Sequence, residues 1–223
     1  MHVEAPEGTV KSLKEFGLHY FMIVLSILTA LGLEEGLRAY HDHEAAGAAE
    51  QAIERELQAN LMDLRAALKD NRERQEGFTK RGDALAEEIR RGQNYEALKK
   101  GFIETYSPDK LSIGLLLPIQ SHEAWDVAVA SQAAVHIPRQ KLEAYTAAYA
   151  IEREALSGAN SGMLMLDAPR IVDFKADVEI GVADPKRFLQ ILREAAAVNS
   201  VGLNNLADAE KEMTKTLDKV GVR

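Results

Sequence analysis

One apolar stretch, Phe16 to Leu33, runs without a break into a charge-rich segment of helix-forming residues, and this join constrains the fold more than any other feature. Its 18 positions rise about 27 Å as a helix, just enough for a hydrocarbon core of about 30 Å. Gly17 and His19 dilute the first turn, and the densest part runs from Tyr20 to Leu33. Three readings compete. A cleaved signal peptide accounts for Lys11 and Lys14 ahead of an apolar core. Against it, Leu31, Gly32, Leu33, Glu34 and Glu35 leave no small-x-small cleavage site. A buried helix of a soluble protein suits the shortness of the densest run. The favoured reading is an uncleaved single-pass anchor, with His19 and Tyr20 at the interface where amphipathic rings are favoured.

Lys11 and Lys14 precede the stretch and only Arg38 follows it closely. The positive-inside bias then places the N-terminus in the cytoplasm and the rest of the chain beyond the membrane, two charges against one. Residues 1–11, broken by Pro6 and Gly8, read as a flexible tail, 12–35 as a transmembrane anchor, and 36–223 as a soluble helical bundle. That remainder is large enough for a helical core. A net charge of −8 with no run of Lys and Arg argues against nucleic acid, whose phosphates need a basic face. The absence of cysteine excludes disulfides, thiolate metal sites and cysteine nucleophiles.

No proline interrupts the chain between Pro6 and Pro108, and Ala45 to Arg74 is rich in Ala, Glu, Leu, Arg and Gln. Ile53, Leu57, Leu61, Leu64 and Leu68 recur at helical spacing and form one stripe. The expectation is a long helix continuous with the anchor, with Gly36 and Gly47 as its weak points. A second helix is read over 83–100, with Leu85, Ile89 and Leu98 inward, a turn at Gly77 and Gly82 before it, and Gly92 as a candidate break. Residues 105–121 hold a Ser107-Pro108-Asp109 turn and an apolar run ended by Pro118. They read as an ordered loop packed on the core. Ser121 is the expected cap of a third helix over 122–135. Pro138 opens a fourth, with Leu142, Tyr145, Tyr149 and Leu156 inward and Gly158 as its stop. A short helix over 168–178 follows. Asp184-Pro185 starts the last, which runs to about Val220 with Phe188, Leu192, Ala195, Leu206, Met213 and Leu217 buried. The fold class is all-α: a transmembrane helix continuing into a long amphipathic helix, packed in a four- to five-helix bundle with coiled-coil-like stripes.

Few residues suggest chemistry. His41-Asp42-His43-Glu44 has metal-ligating side chains, but on a helix residues two apart point to different faces, so no metal site is assigned. His122 and His136 lie at opposite ends of the third predicted helix and read as surface or cap residues. Trp125, the sole tryptophan, is either a core anchor or a ligand platform, with the core reading ahead; Tyr145 and Tyr149 go with it. Asn60 interrupts the apolar stripe, and the sequence leaves it open between fixing helix register and simple exposure. Ser26 and Ala30 form a small-xxx-small pair through which two anchors approach closely. No nucleophile triad, phosphate loop or carboxylate pair stands out. The chain reads as non-enzymatic, with no cofactor.

Laid side by side, several short elements carry a resemblance. The anchor ends Ala30-Leu31-Gly32-Leu33-Glu34-Glu35, and the long helix carries Glu56-Leu57-Gln58-Ala59-Asn60, a Glu-Leu-x-x-Asn element. Leu116-Leu117-Pro118 then leads into Ala124-Trp125-Asp126-Val127-Ala128, Ser131, and later Tyr145 and Tyr149. In this order, over most of residues 11–157, the chain resembles a group of uncharacterised bacterial single-pass membrane proteins. The C-terminal third matches only as a helical pattern. The resemblance implies a membrane-tethered helical domain and implies no reaction. The functional expectation is a scaffold or accessory subunit of a bacterial envelope assembly, in the inner membrane with the C-terminal domain periplasmic. Its expected partners are membrane lipid and other membrane or envelope proteins, a second copy of this chain among them. The alternative is an extracytoplasmic small-ligand sensor or binding module.

Overall fold

The computed structural model describes residues 13–92, 95–105, 114–164 and 168–222. The tail read over 1–11 and the turn at Ser107-Pro108-Asp109 lie outside the described residues. Six α-helices and one 3-10 turn make up the fold, with no strand among the described residues. Helix α1 spans Leu13–Arg90, 78 residues without a break, which is about 117 Å of helix. It is the one helix among the described residues long and apolar enough to cross a membrane, and none of its apolar window is buried against the rest of the chain. Continuous burial begins only at Ala46.

From there α1 is the spine of the bundle. Helix α2 spans Tyr95–Thr105, α3 Glu123–Ala130, α4 Arg139–Leu164, α5 Ala168–Glu179 and α6 Pro185–Asp218. Three core layers stack along α1. In the near layer Ile53 and Leu57 meet Tyr145, Tyr149, Met213 and Leu217. In the middle layer Leu64 and Leu68 meet Ala155, Ala159, Leu203 and Leu206. In the far layer Phe78 and Leu85 meet Phe174, Val178, Phe188 and Leu192. The order of partners shows that α4 runs parallel to α1 and α6 antiparallel to both. Asp184 starts α6 as expected: its carboxylate accepts the Lys186 N–H at 2.8 Å, ahead of Pro185 in the first turn.

The expected turn at Gly77 and Gly82 is absent, and α1 passes through both glycines to Arg90. A glycine inside a helix costs about 1 kcal/mol, and burying Phe78 and Leu85 against α5 and α6 outweighs that. The break comes at Gly92, which takes a left-handed φ of +64°. Gly158 does not stop α4 either. A Cβ there would stand 3.2 Å from Asn205 Nδ2 of α6, so this glycine serves the close approach of two helices.

The third predicted helix is two pieces. Helix α3 ends at Ala130, Gln132 turns with φ 63°, and a 3-10 turn follows over Ala133–His136. The kink sets Ala133, Ala134 and Ile137 into the core, which one straight helix from Glu123 does not do. Ser121 does not cap α3. The cap position is His122, with no side-chain cap bond, and Ser121 is engaged elsewhere.

The expected ordered loop is present over residues 114–122 as an extended strap running antiparallel along α1. Asn71 accepts the Leu116 N–H at 2.8 Å and donates to its carbonyl at 2.7 Å. Asn60 does the same for Ser121, at 3.0 and 2.9 Å. Five extended residues and eleven helical residues both span about 16 Å, so the two clips share one register. Arg74 adds a bond to the Gly114 carbonyl at 3.0 Å. Leu115 plugs into the middle layer over Gly202, where a Cβ would fall 2.2 Å from its Cδ1.

Candidate functional site

Where the strap meets α3, polar side chains concentrate inside the near layer. The α1 face at Glu50, Glu54, Glu56 and Asn60 looks toward α4, whose Lys141, Tyr145, Tyr149 and Glu152 sit on the matching face. Spacings of three and four place the α4 groups on one stripe, the one that also carries the buried Ala148.

The cluster has two parts. In the first, Lys141 Nζ donates to Glu50 at 2.6 Å and to Glu54 at 3.1 Å, and the Tyr145 hydroxyl donates to Glu54 at 2.6 Å. The bond to Glu50, with Glu54 adding to it, holds Lys141 above its ordinary pKa. Burial, then the Glu54 acceptor, pushes Tyr145 well above the usual phenol range.

In the second part Glu56 is the hub. One oxygen accepts the Tyr149 hydroxyl and the other accepts the Ala124 N–H at 2.9 Å. A carboxylate from α1 therefore caps α3 in place of the serine expected for that role. Burial, then Glu56, also drives Tyr149 far up. Beside it lies Glu152, 0% exposed, whose Oε2 accepts from Asn60 Nδ2 at 3.1 Å and whose Oε1 has no hydrogen-bond partner. Burial pushes the Glu152 carboxyl up to about 7, the Asn60 bond opposes this, and the nearby Glu56 charge adds to it.

The residues singled out in the sequence fall in different places. Asn60 is 2% exposed and joins the strap to Glu152, so its partners lie within the chain. Tyr145 and Tyr149 are buried and hydrogen-bonded to glutamates. Trp125 is half-buried at the edge of the near layer, its ring 5.6 Å from that of Tyr149. Ser26 and Ala30 are exposed on the outer part of α1, where the Ser26 hydroxyl bonds the Met22 carbonyl at 2.8 Å. His41 and His43 are exposed on the unbroken helix, and no group of metal-ligating residues occurs among the described residues. His122 lies 5.2 Å from the Tyr149 ring, and His136 lies 3.7 Å from Asp42.

Sequence reasoning passed over Glu54, Lys141, Glu152 and Asn71. The signal for Glu152 was present: it falls three residues after Tyr149, on the face that Tyr145 and Tyr149 mark as inward. An acid on an inward stripe is the pattern that identifies such a group.

The arrangement can fasten elements and bind a proton. The chain matches no protein-family model, no curated protein and no solved structure.

Proposed function

We propose that this chain is a membrane-tethered helical scaffold or accessory subunit of a bacterial envelope assembly, carrying out no catalysis. The observation that supports this reading most is the continuity of α1. One helix passes from an apolar stretch with no residue buried, through a charged segment, into the bundle core. The 13 helical steps from Leu33 to Ala46 rise about 20 Å, so the bundle stands off the bilayer on a stiff post. Such a post suits a protein that presents a surface to neighbours at a fixed height. The Lys11 and Lys14 bias favours a cytoplasmic N-terminus and a periplasmic bundle. The resemblance to uncharacterised single-pass bacterial proteins, carried by the Glu-Leu-x-x-Asn and Ala-Trp elements, fits the same reading.

The test is fractionation followed by capture. The full-length chain is expected to stay with membranes through high-salt and carbonate washing, because salt screens charges but leaves apolar burial intact. Release into the supernatant overturns the tether. Capture from gently solubilised membranes is expected to bring a stoichiometric protein partner. A small molecule co-purifying in its place favours the sensor reading, for which an open cleft of about 360 Å³ between α4 and α6 offers room. A reporter fused after Arg223 is expected to be active only outside the cytoplasm.

A further inference from the structure

Asn60 uses one amide nitrogen for two jobs: Nδ2 donates to the Ser121 carbonyl of the strap at 2.9 Å and to Glu152 Oε2 at 3.1 Å. The fastening of the strap is thereby joined to a buried acid. We propose that Glu152 is a proton-binding site whose protonation keeps the strap docked on α1, so that loss of the proton frees residues 114–122 and the start of α3 while the helices stay packed.

The surroundings of Glu152 suit a neutral acid. A buried ionised carboxylate calls for two or three hydrogen-bond donors or a cation. Glu152 has a single donor, and its Oε1 has none. From α1 it faces Asn60 and Glu56, and Glu56 is the charged group that acts on it, with the same sign. On α4 the neighbouring Tyr149 gives its hydroxyl to Glu56. The strap and α3 bring His122 beside the Tyr149 ring and Asp126, a further acid acting on Tyr149. On α6, Glu210 is bound by Arg65 at 2.7 Å, and Asp208 and Glu212 line the open cleft beside Ile151 and Glu154 of α4. The cation of the near layer, Lys141, is held by Glu50 and Glu54. With a hydrogen on Oε1, Oε2 remains an acceptor for Asn60 and no charge is buried. When the proton leaves to solvent, a charge remains beside Glu56, and no cation among the described residues meets it.

Water is the available relief, and the strap is the thinnest cover. Leu116 and Ile119 of the strap are exposed, and among the described residues it is fastened to α1 by two asparagine clips and Arg74. Helix α4, by contrast, is packed in the near and middle layers. Opening of a short segment costs far less than opening of the bundle. Burial and Glu56 bring the Glu152 carboxyl to about 7, so both states are reached near neutral pH.

Hydrogen exchange on the full-length chain in detergent micelles tests this. Rates at the Leu116, Ser121 and Ala124 amides are compared at pH 5.5 and 8.5 after correction for intrinsic exchange. Strap opening is expected to rise on the order of 30-fold, the linkage ratio for a carboxyl titrating near 7 when docked and near 4.5 in water. In Glu152→Gln, which is neutral at every pH, the rise is expected to vanish. Equal corrected protection at both pH values in the wild type, or the same rise in the variant, overturns the proposal. Should the variant not fold, a carbon-13 carboxyl titration of the wild type decides. A glutamate titrating near neutrality supports the site, and glutamates all titrating in the ordinary acid range refute it.

Discussion

The near and far layers of the bundle share α1 and α6, with α4 as the third helix of one and α5 of the other, and they are held by different forces. In the far layer Phe174 and Phe188 stack at 5.3 Å with their planes 11° apart, among Phe78, Leu85, Val178 and Ile191. In the near layer aliphatic residues share the interior with Tyr145, Tyr149, Asn60 and Glu152. Apolar burial carries no proton, so the buried cluster of the far layer brings no pH dependence of its own. The near layer carries an acid whose comfort depends on being neutral. The half next to the apolar stretch is thus the half that senses its medium.

The far layer is where a single truncation does most damage. Phe188 is 1% exposed, and Phe188→Ala is expected to cost about 4 kcal/mol through lost burial and an unfilled cavity. Because the groups packed around Phe188 are apolar, the loss measured by denaturant unfolding of the full-length chain in micelles should match at pH 5 and pH 8. A loss under 1 kcal/mol, or one that changes with pH, breaks the contrast between the layers.

A smaller effect belongs to the near layer. The Glu152 carboxyl lies near 7 in the folded chain against an ordinary value of 4.5, so over that window the native state keeps a proton that the unfolded chain gives up. The contribution to stability is full below about 4.5, falls as pH rises to about 7, and is flat beyond. The difference amounts to about 3 kcal/mol at 1.36 kcal/mol per unit. Glu152→Gln removes it, and the variant is expected to match the wild type near pH 4.5 and exceed it at pH 8. A variant less stable than wild type at pH 8 sinks this account of Glu152.

These layers also divide what the sequence made legible. The far end was readable at its core because Phe188, Leu192 and Ala195 follow helical period and Asp184-Pro185 marks a helix start by local chemistry. Helix boundaries were misread there at Gly77 and Gly82, and in the middle layer at Gly158, where tertiary contact decides whether a glycine ends a helix or admits a neighbour. The near-layer network was hidden for another reason. Glu56 and Asn60 were visible as a motif and Tyr145 and Tyr149 as a stripe, yet their pairing depends on two segments roughly ninety residues apart meeting in register. The strap clips show the same limit. Nothing local in Asn60 or Asn71 states that each will grip a backbone more than forty residues away.

Trp125 gives the mildest test of the comparison. Read from sequence it is a core anchor, and a wholly buried tryptophan would cost about 3–5 kcal/mol on truncation. The structure places it half-buried on the rim of the near layer, against Tyr149 and just past the Ala124 N–H that Glu56 holds. Only part of its surface leaves water on folding, and the rim can relax around a missing ring. Trp125→Ala is therefore expected to cost about 2 kcal/mol, half the far-layer value. The mutation also removes a cover of the Tyr149–Glu56 pair, so the cost should not fall evenly on the molecule. Exchange at Ala124 should rise more than exchange at Phe188. Equal loosening of both ends would mean that the layers act as one cooperative unit, and the distinction between an apolar end and a proton-sensitive end would fail.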